Sequence, residues 1–154
     1  MSTDDATIRE AAAGDLPRLI ELWAALASDP AQEGVSGRPS EAHVRAFEEV
    51  RADRRQRLLV LEREGRVVGT ATLIIVPNVA HQGSRYALVE NVVVDAAERS
   101  AGYGGMLMRY AIGEARRAGC YKLTLTSRLQ RDDAHRFYER LGFTATSKGF
   151  RIEL

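Results

Sequence analysis

The sequence has almost no cysteine. Cys120 stands alone in 154 residues, which excludes an internal disulfide framework and fits a reducing, cytoplasmic setting. Long hydrophobic runs are also missing, since stretches such as TATLIIV (70–76) fall far short of the ~20 residues needed to cross a bilayer. No charge of one sign prevails. Lys and Arg number 22 against 21 Asp and Glu, a net charge of +1, so neither a nucleic-acid footprint nor a polybasic membrane patch is expected. The first residues, MSTDDATIRE, are acidic and polar and lack the apolar core of a signal peptide. What is present is a globular composition, 45% hydrophobic and 28% charged. It is expected to fold as one domain over 1–154 with a proper hydrophobic core.

Periodicity orders the chain. ATIREA (6–11) reads as a first strand, and Leu16, Leu19, Ile20, Trp23 and Leu26 share one face of a helix over 14–27. Asp15 suits its N-cap, with Pro17 letting the start slide by a residue. The stretch 28–40 is loop, and Ser40 is placed to cap a second helix over 41–53. RLLVLEREGRVVGTATLIIVP (57–77) is a hairpin turning at REGR, followed by a polar connector and the strand YALVENVVV (86–94). GGMLMRYAIGEARRAG (104–119) is a helix closed by Gly119. CYKLTLTS (120–127) is a strand, RDDAHRFYERLGF (131–143) a short helix ended by Gly142, and TATSKGFRIEL (144–154) a last strand or hairpin. A three-strand meander followed by a β-α-β crossover implies an α/β (α+β) fold with a mixed, mostly antiparallel central sheet flanked by helices.

ENVVVDAAERSAGYGGML (90–107) gathers Gly102, Gly104 and Gly105 where a strand hands over to a helix. Such a junction collects unpaired N–H groups at the positive end of a helix, and glycine lets an anion approach them. RSAGYGGML therefore reads as a phosphate cradle with Arg99 at its rim. A Walker A loop would need Gly-Lys-Ser/Thr where Gly105 is followed by Met106 and Leu107, and a dinucleotide fingerprint would need glycine where Leu107 stands.

The pattern that does match is Arg-x-x-Gly-x-Gly over Arg99–Gly104 between a strand and a helix. Together with DDAHRFYERLGF (132–143), similar to an Asn-Ala-x-x-Phe-Tyr-x-x-x-Gly-Phe helix, it resembles the GNAT superfamily of N-acetyltransferases. The resemblance covers about 57–145, and the N-terminal third agrees only in element order. It implies a GNAT-like acyl-coenzyme A fold with acetyl-coenzyme A as the acyl donor. The pyrophosphate would sit on Arg99, Ser100, Ala101, Gly102, Tyr103, Gly104 and Gly105, and the pantetheine arm on the backbone of Val92, Val93 and Val94. Asp133 stands where the family usually has Asn, which leaves that contact with the arm in question or makes Asp133 an N-cap. The implied partner is a small-molecule amine, and a homodimer is common among similar proteins. A protein-lysine or N-terminal acetyltransferase and a non-catalytic acyl-coenzyme A-binding regulator are the alternatives.

An alkyl amine is mostly protonated at pH 7, with a pKa of about 10.4. The resemblance makes Glu90 the general base that deprotonates it and Tyr138 the general acid that protonates the departing thiolate. From the residues alone, Glu90 reads equally well as a solvent-facing glutamate or a partner of Arg85. Tyr138 falls in the stripe Ala134, Phe137, Tyr138, Leu141, where a core tyrosine fits as well. Asn78, His81, Gln82 and Arg85 before the strand, and Ser127, Arg128 and Arg131 after the next one, are polar groups that could meet the acceptor. Arginines there would favour an anionic amine. SKGFRIEL with the helix motif resembles aminoalkylphosphonate acetyltransferases, and GCYKLTL resembles glucosamine-phosphate ones. Cys120 reads as a packed thiol, His135 as a surface residue, and His43, His81 and His135 lack metal-ligand spacing.

Overall fold

The hairpin of the sequence is the backbone of the sheet. In the computed structural model, which describes residues 5–26 and 38–154, strand β2 (Gln56–Arg63) turns through Glu64 and Gly65, both at positive φ, into β3 (Arg66–Val76). The described chain falls into two compact units that divide between Thr124 and Leu125.

The first unit holds five strands in the order β1-β2-β3-β4-β5, with β1 at Ala6–Glu10, β4 at Tyr86–Val94 and β5 at Leu123–Thr124. Every neighbouring pair is antiparallel except β4 and β5, which run parallel across the helical crossover. This is the expected α/β arrangement. Helix α1 (Leu16–Ala24) begins with Pro17 in its first turn, where a missing N–H costs nothing, and buries Leu16, Leu19, Ile20 and Leu22. Helix α2 (Glu41–Ala52) is capped by Ser40: its hydroxyl accepts from the His43 N–H at 3.3 Å, and His43 Nδ1 accepts from the Ser40 N–H at 3.1 Å. This is a capping box with histidine in the usual Glu/Gln place. Asp15 does not cap α1. Its carboxylate instead accepts from the Ala12 N–H at 2.8 Å and grips Arg9, closing the short 3-10 turn ahead of the helix.

Leu58 and Val60 join Leu16, Leu19, Ile20 and Phe47 in one core cluster. The intervening Leu59 and Leu61 point to the opposite sheet face by the two-residue repeat and are fully buried, as are Leu107 and Met108 of the crossover helix. At roughly 2 kcal/mol for each fully buried aliphatic side chain, these two layers dominate the stability of the unit. Gly69 lets them close: a Cβ there would lie 3.1 Å from Leu107 Cδ1 and 3.2 Å from the Val93 carbonyl. Thr70, the one buried polar residue of this core among those described, donates to the Leu59 carbonyl at 2.7 Å.

Between β3 and β4 lies α3 (Ala80–Gly83), a single turn with left-handed φ at His81 and Gln82. The crossover helix α4 (Tyr103–Arg117) ends as expected. Gly119 takes φ +75°, its N–H reaches the Arg116 carbonyl and the Cys120 N–H reaches that of Ala115, both at 3.0 Å. The strand expected over 120–127 is far shorter, because pairing is confined to Ala87–Leu123 and Leu88–Thr124.

The second unit carries α5 (Asp132–Arg140). No strand or hairpin forms over 144–154. Phe150 and Ile152 keep the alternation that suggested one, yet both are exposed. Alternation defines the face of a strand and supplies no partner edge. The loop expected over 28–40 lies mostly outside the described residues.

Candidate active site

Strand β4 is broken in the middle. Its register against β3 shifts by one between Glu90–Thr72 and Val93–Thr70, so that Asn91 and Val92 together face Ala71. Asn91 takes φ +54°, a left-handed conformation that asparagine tolerates better than most side chains. This is a β-bulge. The extra residue returns Val93 to the face that carries Glu90, and Val93 is buried in the cluster under α1.

The other edge of β4 is open. Beyond Leu88 it has no strand neighbour among the described residues, so Val89–Val94 presents backbone N–H and C=O groups along that edge. At its end, the chain passes through a 3-10 turn (Ala96–Glu98) into Arg99, Ser100 at φ +72° and Gly102 at φ +83°. Gly102 is the N-cap of α4 and offers no capping side chain. Its carbonyl accepts from the Met106 N–H at 3.0 Å, which leaves the amides of Tyr103, Gly104 and Gly105 without an acceptor inside the helix. The Tyr103 and Gly105 residues are themselves buried, so they present backbone here. A cluster of unsatisfied N–H groups at a helix start is an anion site in the making.

The turn is tethered from below. Asp95 caps it through the Ala97 N–H at 3.0 Å and pairs with Arg18 of α1 and with Arg66, while Glu98 accepts from Arg63 at 3.0 Å. The Ala97 N–H first, against an opposing cost of desolvation, and then Arg18 and Arg66 hold the Asp95 carboxyl below the usual carboxylate range. A depressed folded-state value means stabilisation that is complete above the unfolded value, about 3.9, and lost as the pH falls through the folded one. Asp95→Asn is therefore expected to lower Tm clearly at pH 7 and progressively less below pH ~4. Thermal unfolding of both proteins across that range checks it, and a deficit independent of pH would refute the tether.

Glu90 stands on the wall of a cleft of about 320 Å³ bounded by α1, α2 and the sheet. It is half-buried and takes part in no ion pair with Arg85 or any other described residue. Asn78, His81 and Arg85 do not line this cleft. They sit at the opposite end of β4 from the glycine turn, where the His81 ring lies 4.6 Å from that of Tyr121 and the Arg85 carbonyl accepts from the Tyr121 N–H. Arg85 precedes Glu90 by five residues, roughly 16 Å of extended chain. Cys120 is a packed thiol, pushed up by burial with Arg85 as a lesser opposing influence.

In the second unit, α5 explains its motif locally. Gly142 takes φ +92°, its N–H reaches the Glu139 carbonyl, and the Phe143 N–H reaches that of Tyr138 at 3.1 Å. This closure packs Phe143 edge-on against Tyr138 at 5.8 Å, with Phe137 edge-on at 5.1 Å. The Gly-Phe of the motif thus ends the helix and wedges the tyrosine ring. Asp133 is exposed in the first turn and makes no capping bond; Arg131 holds the N-cap position, so the N-cap reading of Asp133 is corrected. His135 Nε2 donates to the Arg128 carbonyl at 2.9 Å and pins the loop ahead of the helix. The Ser127 hydroxyl is buried with no hydrogen-bond partner among the described residues.

Sequence reasoning missed Asn91, the Asp95 tether and the cleft residues of α1 and α2. The signal for the first was a Glu-Asn pair inside an otherwise apolar strand.

The acetyltransferase (GNAT) family profile matches residues 19–143. A glucosamine 6-phosphate N-acetyltransferase of Trypanosoma brucei brucei is 39% identical over 90 residues, which are 58% of this chain and 59% of that protein. An aminoalkylphosphonate N-acetyltransferase of Salmonella typhimurium is 35% identical over 81 residues, 53% of this chain and 52% of that one. The matched part thus spans little more than half the length of these curated relatives. A crystal structure described as a transcriptional regulator from Bacillus halodurans C-125 superposes with a TM-score of 0.92 at 35% identity, covering 97% of this chain and 99% of that chain. Sheet order, glycine turn and profile agree, and the chain belongs to the GNAT family of acetyltransferases.

Proposed function

We propose that the chain is an N-acetyltransferase that moves an acetyl group from acetyl-coenzyme A to the primary amine of a small molecule by direct attack, with residues 1–154 serving as one catalytic domain. The observation that carries this reading is the open edge of β4 running into the glycine turn. The residues there fit the donor: a pyrophosphate suits the uncapped amides around Gly102–Gly105 with Arg99 and Ser100 beside them, and an amide-bearing pantetheine arm suits the free backbone of Val92–Val94. The resemblance to the family assigns Asp133 and Tyr138, on α5 of the second unit, to the same donor. When bound, the donor supplies an activated thioester carbonyl.

Glu90 takes the proton of the attacking ammonium, directly or through one water, so that the nitrogen lone pair can form the C–N bond. A backbone N–H of the 92–94 segment steadies the oxyanion. As the C–S bond breaks, the Tyr138 hydroxyl would give its proton to the leaving sulfur, a transfer between groups of comparable basicity, and the phenolate would be re-protonated by the second proton that the adduct nitrogen sheds on becoming an amide. A regulator that binds the donor without turning it over is the second reading, favoured by the description of the Bacillus halodurans relative. Release of free thiol in the presence of an amine separates the two.

The cradle is tested at Gly102. Valine at φ +83° is strained by roughly 1–3 kcal/mol, and relieving that strain turns the first amides of α4 away. Gly102→Val is expected to weaken acetyl-coenzyme A binding by about 10- to 100-fold, with the fold retained by circular dichroism. Unchanged affinity would remove the loop from the site.

A further inference from the structure

We infer that the cleft beside Glu90 takes a primary amine carried on an uncharged, apolar body, of the arylalkylamine or branched alkylamine class, and not an amine that also bears a phosphate or phosphonate. This rests on the acetyltransferase reading and concerns its acceptor.

The cleft of about 320 Å³ is walled mainly by Leu16, Trp23, Phe47, Val50, Leu58 and Ile74. Among the described residues of the wall, Glu90 is the one carboxylate and there is no Lys or Arg. His43 on this wall is engaged in the capping box of α2, its Nδ1 accepting from the Ser40 N–H. A phosphate brought against this wall would shed water, meet the Glu90 carboxylate and, among the described lining residues, find no Lys or Arg to pair with. A single ammonium on an apolar body meets the opposite situation. Its charge complements Glu90, the group that then accepts its proton, and its carbon skeleton replaces water along the aliphatic and aromatic walls. The named relatives act on phosphorylated or phosphonylated amines, so this cleft separates the chain from them in substrate class.

The test uses the full chain with saturating acetyl-coenzyme A and measures free-thiol release and product mass for 2-phenylethylamine, isoamylamine, glucosamine 6-phosphate and 2-aminoethylphosphonate. The apolar amines are expected to exceed the phosphorus-bearing ones in kcat/KM by about tenfold or more. Ala46→Arg, a helix-compatible change at an exposed wall position of α2, is expected to raise KM for the apolar amines while leaving acetyl-coenzyme A affinity intact. Preferential turnover of either phosphorus-bearing amine, or an Ala46→Arg protein with unaltered amine KM, overturns the inference and leaves the acetyltransferase standing. Donor binding with no thiol released to any amine overturns both.

Discussion

Glu90→Gln lowers kcat/KM for a primary amine by roughly 10²–10⁴-fold, the usual worth of a positioned general base, and leaves acetyl-coenzyme A affinity unchanged. The amine arrives protonated at pH 7, because its pKa lies near 10.4, and the nitrogen attacks only after losing that proton. Among the described residues Glu90 is the one carboxylate on the cleft wall, and it is in no ion pair that would compete for it. Glutamine keeps the shape and the hydrogen-bonding capacity while removing the basic oxygen. Stopped assays of acetyl transfer, paired with donor titration, measure both quantities. A parallel loss of donor affinity would mean that Glu90 maintains the strand and does no proton transfer.

Tyr138→Phe removes the hydroxyl and keeps the ring. The ring is held by edge-on contacts with Phe137 and Phe143 and by the glycine closure of α5, none of which needs the oxygen. Turnover is expected to fall by about 10²-fold or more, with donor affinity nearly unchanged. A thiol more acidic than coenzyme A leaves without help, so an activated thioester donor is expected to recover much of the lost rate in the variant. Equal loss of rate, affinity and Tm would make the residue structural.

The elements legible in the sequence are those set by local chemistry. Glu64-Gly65 marked the hairpin, Ser40 the start of α2, Gly119 and Gly142 the ends of their helices, and Gly102–Gly105 the strand-to-helix turn. Each works through a backbone conformation or an orphan N–H that its own neighbours determine. What was not legible depends on groups far apart in the chain. The cleft combines α1, α2, β2, β3 and β4, and no spacing within one segment announces that Glu90 shares a wall with Trp23 and Phe47. The Asp95 tether joins residues 77 positions apart. The bulge at Asn91 follows from the register with β3, a strand more than ten residues away. Alternation at 144–154 misled in the other direction, because an amphipathic segment becomes a strand only when an edge is there to pair with it.

The most direct measurement is a calorimetric titration of the purified chain with acetyl-coenzyme A, with ATP and NAD as controls. Saturable binding of acetyl-coenzyme A, weakened in Gly102→Val and absent for ATP and NAD, is the predicted result. No binding, or equal binding of all three, would contradict the donor site on which the whole account depends.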